Sequence, residues 1–226
     1  MPKKLVVAEH GDDSGYPFHV LFDEVAQVKA TDGQSEVINT ISNADCLLLW
    51  GGTDICPMLY GQKPNRFNEA GSVPSKRDLF EWKLIKMAVA AQIPIIGVCR
   101  GAQLLCAFDG GELAQDIEGH LYSHNIKTYD GQVIMAKANH HQMMLPKPHN
   151  VLLATALEQE HGGYYIGEND AINIIPKGYL EPEVVHFTQL NAIGFQPHPE
   201  WMDAESPFVI WCVKQVREKL LEKETV

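Results

Sequence analysis

The 226-residue chain is short of several things, and each shortage closes off a class of function. No run of apolar residues approaches the roughly 18 needed for a membrane span. After Met1-Pro2-Lys3-Lys4 only Leu5 to Ala8 are apolar before Glu9, too few for the core of a secretory signal. Positive charge is scarce: 18 Lys and Arg stand against 29 Asp and Glu, a net charge of −11, with no basic cluster beyond Lys3-Lys4. Nucleic-acid binding needs a basic face, so that class of partner is not expected. Cysteines number five, an odd count, and none are spaced C-x-x-C. This argues against a disulfide framework or a zinc ribbon and suits a reducing compartment, so the expected location is the cytoplasm. There is also no internal repeat, low-complexity tract or linker, so residues 1–226 read as one domain.

What is present is a series of short apolar runs rich in β-branched residues. They fall at Leu5–Val7, Cys46–Trp50, Ile93–Val98, Ala171–Ile175, Val184–Phe187 and Ala192–Phe195, and each predicts a strand. Leu79, Trp82, Ile85 and Val89 recur at helical spacing between Arg77 and Ala91, and a last helix is expected from Pro207 to about Glu222. Strands alternating with helices imply a mostly parallel central sheet flanked by helices. The stretch from about 121 to 190 carries strand and turn signals instead, and predicts an antiparallel extension. The expected fold class is therefore α/β.

Two segments carry chemistry. In the first, a β-branched run leads into Gly97-Val98-Cys99-Arg100-Gly101, and a helical pattern follows. A strand that turns abruptly into a helix places the residue at the apex on view, and glycines on either side remove side chains that would clash. Exposed N–H groups at a helix start favour a thiolate, and the Arg100 N–H would face the oxygen of a carbonyl under attack. The same residues also fit a structural cysteine between two packing glycines. Cys46, Cys56, Cys106 and Cys212 read as small core residues.

The second segment is Gln196-Pro197-His198-Pro199-Glu200-Trp201. Prolines on both sides of His198 end the preceding strand. In an extended backbone His198 and Glu200 would share a side, and a carboxylate beside an imidazole fixes its tautomer. A turn histidine beside a solvated glutamate is the plainer alternative. Taken together, an apex cysteine and a His–acid pair at the ends of parallel strands meet the requirements of an activated nucleophile.

In this setting the chain resembles the class I glutamine amidotransferase family, closest to its free-standing γ-glutamyl-γ-aminobutyrate hydrolase, peptidase C26-like branch. The resemblance rests on Leu47 to Gly61 with its Gly51-Gly52 loop, on Arg77 to Trp82, on the elbow running on into Gly110 to Ile117, and on Asn139 to Gln142 with His198 to Trp201. It implies a flavodoxin-like fold and a Cys99–His198–Glu200 triad. It further implies backbone N–H groups of Gly52 and Arg100 as the oxyanion hole, and Gln103, His140, His141 and Gln142 around the bound glutamyl group. No cofactor or metal is implied. Adjacent His140 and His141 should point opposite ways, and His120 and His124 would share a metal only on a helix, which Tyr122-Ser123 does not suggest.

The chain departs from the family at Trp50, Cys106-Ala107, Asp109 and Gln196-Pro197, all around the pocket. These departures touch substrate identity and leave the triad intact. The implied reaction is hydrolysis of a γ-glutamyl amine, a γ-glutamyl peptide or glutamine through a γ-glutamyl thioester. The alternatives are a glutaminase subunit serving a separate synthetase partner, and a thiol sensor on the same scaffold.

Overall fold

The computed structural model describes residues 3–9, 11–157 and 163–222. Its centre is a nine-stranded sheet. The first half holds β1 (Lys4–Ala8), β2 (Glu24–Val28), β3 (Cys46–Leu49) and β4 (Ile95–Val98). In the order β2-β1-β3-β4 these pair in parallel, and β13 (Ala192–Phe195) joins β4 in the same sense. Beyond β13 the direction alternates: β12 (Pro182–Phe187), β9 (Val151–Ala156), β6 (His124–Thr128) and β7 (Val133–Ala136) complete the sheet antiparallel. The parallel half and the antiparallel extension thus both form as expected.

The parallel strands read as unbroken apolar runs because both of their faces are covered. Val6, Ala8, Leu47 and Leu49 point to one face, where α1 (Gln34–Ser42), α2 (Lys76–Ala90) and α3 (Arg100–Phe108) pack. Leu5, Val7, Cys46 and Leu48 point to the other, against Phe18 and the Phe208, Trp211 and Cys212 side of α4 (Pro207–Val216). Two small sheets lie outside: β5 (Glu112–Ala114) with β8 (Met143–Leu145), and β10 (Tyr164–Ile166) with β11 (Ile172–Ile174).

The structure departs from the sequence reading in three places. The edge elements β2 and α1 carry too little apolar patterning to be read; α1 buries only Val37 and Ile41. The last helix stops at Val216 and continues as a π-turn over Arg217–Leu221. Of the expected stripe on α2, Ile85 is buried and Trp82 and Val89 pack against the core, but Leu79 is 58% exposed. The face that turns in carries Asp78, Glu81, Leu84, Ile85 and Ala88, and its two carboxylates meet a buried arginine.

Candidate active site

Cys99 stands where β4 turns into α3. Its φ of 49° and ψ of −106° lie outside the ordinary regions for a residue with a side chain. Such strain persists only where the surroundings over-determine it. Here a hydrogen bond of 2.7 Å from the Cys99 N–H to the Phe195 carbonyl fixes the apex to the neighbouring strand. A side chain on Gly97 would put its Cβ 2.6 Å from the Gly101 carbonyl, and one on Gly101 would strike the backbone of Leu49. Both glycines of the motif are therefore required by close packing of strand on helix.

His198 arrives from the adjacent parallel strand, three residues after β13 ends. The Lys137 carbonyl accepts its N–H at 2.7 Å. Its Nδ1 lies 2.7 Å from Glu200 Oε1. The segment Pro199–Trp201 is a 3-10 turn, so the carboxylate reaches the ring by a tight turn and not by the extended geometry the sequence suggested. The remaining nitrogen, Nε2, is buried and has no hydrogen bond of good geometry. A Cβ placed on Gly51 would sit 3.1 Å from His198 Cε1 and 3.4 Å from Cys99 Cβ, so imidazole and thiol converge across this glycine. Burial works against the imidazolium, but the interactions with Cys99 and Glu200 outweigh it and push His198 up to about 9.

The glycine loop after β3 closes the site from the other side. Gly52 has φ +141°, and a side chain there would drive into the Arg77 guanidinium. Arg77 donates to the carbonyls of Trp50 and Gly51, at 3.1 and 2.9 Å, and to Glu81 at 2.8 Å. Glu81 and Asp78 in turn hold the Arg100 guanidinium in short buried ion pairs. One chain of charges thus fastens the glycine loop to the start of α3. The Arg100 N–H is among the first of that helix, where backbone donors have no helical partner.

A cavity of about 270 Å³ opens over Cys99, and Gly52, Gln103, His140, His141 and Gln142 line it. The structure thereby brings the expected pocket residues together. Gln103 Nε2 reaches the Gln142 carbonyl at 3.4 Å and Gln196 Oε1 at 3.5 Å. Residues the sequence did not single out also border it, namely Asp54, Glu69 and Asn139. His141 sits between Asp54 (3.2 Å) and Asp116 (3.0 Å). Its bond to Asp54 does most to push it up, to about 9. A second cavity, about 320 Å³, lies on the far side of Gly51-Gly52 against His198 and Glu200, with Asp12, Trp50 and Trp201 in its wall.

His140 and His141 do point opposite ways. His140 is turned inward, toward His120 and Glu183. No helix joins His120 and His124; a loop and the start of β6 bring their rings to 4.9 Å. His120 bridges Glu181 (2.7 Å) and Glu183 (3.1 Å), and His124 binds Glu183 at 2.8 Å. Burial opposes charge on His120, but its two carboxylates raise it to about 9; burial likewise opposes the Glu183 charge, and the histidines pull it down to about 2.

Residues 25–162 match the family model described as Peptidase C26. The chain belongs to the Peptidase C26 family. A glutamine amidotransferase-like protein, the YvdE homolog of Lactococcus lactis subsp. cremoris, is 33% identical over 146 residues, 65% of this chain and 69% of that protein. The YvdE protein of Lactococcus lactis subsp. lactis is 43% identical over 86 residues, and the matched stretch spans 38% of this chain but only 36% of that relative. The γ-glutamyl-γ-aminobutyrate hydrolase of Escherichia coli is 25% identical over 187 residues, 70% of each chain. Among solved structures, a glutamine amidotransferase of Thermotoga maritima superposes with a TM-score of 0.57 at 11% identity, covering 97% of this chain and 86% of that one. The Peptidase C26 chain therefore has the flavodoxin-like fold of class I glutamine amidotransferases. Among its described residues no helix is long and apolar enough to cross a membrane.

Proposed function

We propose that this Peptidase C26 protein hydrolyses a γ-glutamyl amide with Cys99 as nucleophile, His198 as acid–base group and Glu200 as its orienting carboxylate. The observation that carries the reading is the convergence of Cys99 and His198 across Gly51, with Glu200 2.7 Å from the other ring nitrogen. Sulfur adds to the side-chain amide carbon with the thiol proton held on His198. The N–H groups of Gly52 and Arg100 receive the oxyanion. His198 then protonates the leaving nitrogen, the C–N bond breaks, and a γ-glutamyl thioester remains. Water, deprotonated by His198, attacks the thioester; the C–S bond breaks, and glutamate leaves as Cys99 regains its proton.

The glutamyl half of the substrate occupies the cavity with Gln103 and the His140–Gln142 segment. The second cavity supports an amine larger than ammonia as the leaving group, since it offers about 320 Å³ beside His198. The γ-glutamyl class itself is supported by the relationship to a γ-glutamyl hydrolase.

The test is glutamate release by the purified chain from L-glutamine and a panel of γ-glutamyl amines. At least one amine should turn over at roughly 1 s⁻¹ or faster, the ordinary range for an enzyme, with glutamine weaker by kcat/KM. Replacing Cys99 by Ala should abolish release with the circular dichroism spectrum unchanged. A pure chain that is inert until a co-purifying synthetase is restored would make it an ammonia donor. A chain that oxidises at Cys99 but turns nothing over would make it a thiol sensor.

A further inference from the structure

Beneath the cavity wall, apart from the cysteine and its histidine, three buried side chains each turn one polar atom toward a common centre. Nε2 of His140 and Oε2 of Glu183 face each other at 3.9 Å, and neither has a hydrogen-bond partner. Nδ1 of His120 lies 3.1 Å from Glu183 Oε1 but without hydrogen-bond geometry. The ligand atoms of these three residues all lie within 4.8 Å of one another. The side chains are 1%, 4% and 0% exposed for His120, His140 and Glu183, so bulk solvent does not satisfy them. A buried polar atom left without a partner is destabilising. Three pointing at one spot call for a shared occupant.

The outer atom of each group is already held. His120 Nε2 meets Glu181 at 2.7 Å, and Glu183 Oε1 meets His124 at 2.8 Å. His140 Nδ1 lies 2.9 Å from the Gln142 carbonyl. Since a carbonyl only accepts, His140 carries a proton on Nδ1, which leaves the lone pair of the neutral ring on Nε2. A lone pair and a carboxylate oxygen facing each other at 3.9 Å repel unless a cation or a donor lies between them. Outer hydrogen bonds that leave inner atoms free are how metal-binding histidines and carboxylates are oriented.

We infer that His120, His140 and Glu183 bind one divalent metal ion of the zinc class. Two imidazoles and a carboxylate are donors that zinc accepts, at roughly 2.0–2.2 Å each, and their ligand atoms already lie within 4.8 Å of one another. The ion joins three separate parts of the chain: the loop before β6, the loop before β8, and β12. It braces the wall that presents His140 to Gln142 to the catalytic cavity, and its role is structural. The inference is independent of the γ-glutamyl reading.

The experiment uses the full chain carrying Cys99→Ala, so that the thiol cannot take up metal. Titration with zinc chloride should show one equivalent bound, with an accompanying rise in Tm. Cobalt(II) should give the visible bands of a four-coordinate nitrogen and oxygen site. Adding His140→Asn or Glu183→Gln should weaken uptake by roughly a hundredfold or more, and His124→Gln, which removes only a supporting bond, by roughly 10- to 100-fold. If either ligand variant fails to fold, X-ray absorption of the zinc-loaded parent decides: two imidazoles and one carboxylate are expected. No uptake by the parent even at high micromolar zinc would overturn the site, as would a different ligand set or undiminished uptake by folded ligand variants.

Discussion

Trp201 lies flat on His198, with ring centroids 3.7 Å apart and planes within 2° of parallel. The indole covers one face of the imidazole while Glu200 holds Nδ1, and Nε2 is left without a hydrogen bond. Both contacts come from the same 3-10 turn, Pro199–Trp201.

The stack predicts a catalytic effect of Trp201. An aromatic face stabilises a nearby cation by about 0.5–2 kcal/mol. Trp201→Leu should therefore lower kcat by roughly three- to thirtyfold, since tenfold in rate is about 1.4 kcal/mol. Steady-state kinetics on the best γ-glutamyl substrate checks this. An unchanged kcat would mean that the indole is only a lid on the second cavity.

Cys99 should be the cysteine that alkylates first at neutral pH. It is 7% exposed and borders a cavity, whereas Cys46, Cys106 and Cys212 are fully buried and Cys56 is 1% exposed. Burial pushes the thiols of Cys46, Cys106 and Cys212 upward, away from the reactive thiolate. Peptide mapping after brief treatment with limiting iodoacetamide should find label on Cys99 ahead of the others. Uniform labelling would count against an activated nucleophile.

The buried charge network predicts a stability effect far larger than a surface pair gives. Arg100 meets Asp78 and Glu81, and all three side chains are 1–2% exposed. Replacing Arg100 by Leu leaves Asp78 without its cation and Glu81 with Arg77 alone, and breaking a buried pair costs about 3–5 kcal/mol. Urea unfolding should show that loss, and the double change Arg100→Leu with Glu81→Gln should cost less than the sum of its parts. Additive losses would show that the residues do not act as one network.

His198 sets a pH dependence of stability. Its folded value, about 9, stands above the ordinary 6.5. A group raised on folding contributes stability that is full below about 6.5, because both states are then protonated, and that fades as pH rises through about 9. The Tm difference between the wild-type chain and His198→Asn should therefore shrink from pH 6.5 to 9. Taking the difference removes the parallel contributions of His120 and His141, which are also raised to about 9. A gap that stays constant over this range would contradict the assigned interactions of the ring.

The sequence by itself determined the central strands of the parallel half of the sheet and the cysteine elbow. Strands covered on both faces need side chains that are apolar at every position, so Cys46–Leu49 and Ile95–Val98 are visible as unbroken runs. Gly97 and Gly101 are legible for a similar reason: no other residue fits between strand and helix, and the requirement is met within five positions. The pairing of His198 with Glu200 is equally local.

Only the tertiary structure decided the rest. The inward turn of Asp78 and Glu81 on α2 was settled by Arg100, a buried cation 19 residues from Glu81 that draws two carboxylates into the core. The edge strand β2 and the helix α1 bury too few side chains to leave a pattern. The second cavity depends on Asp12, Trp50 and Trp201, brought together by separate loops. Most of all, His120, His140 and Glu183 meet only because β12 pairs with β9 and β9 with β6, carrying the two loops over Glu183. Short-range spacing encodes turns and helix faces; contacts between distant residues arise from sheet order and register, and no local pattern reports them.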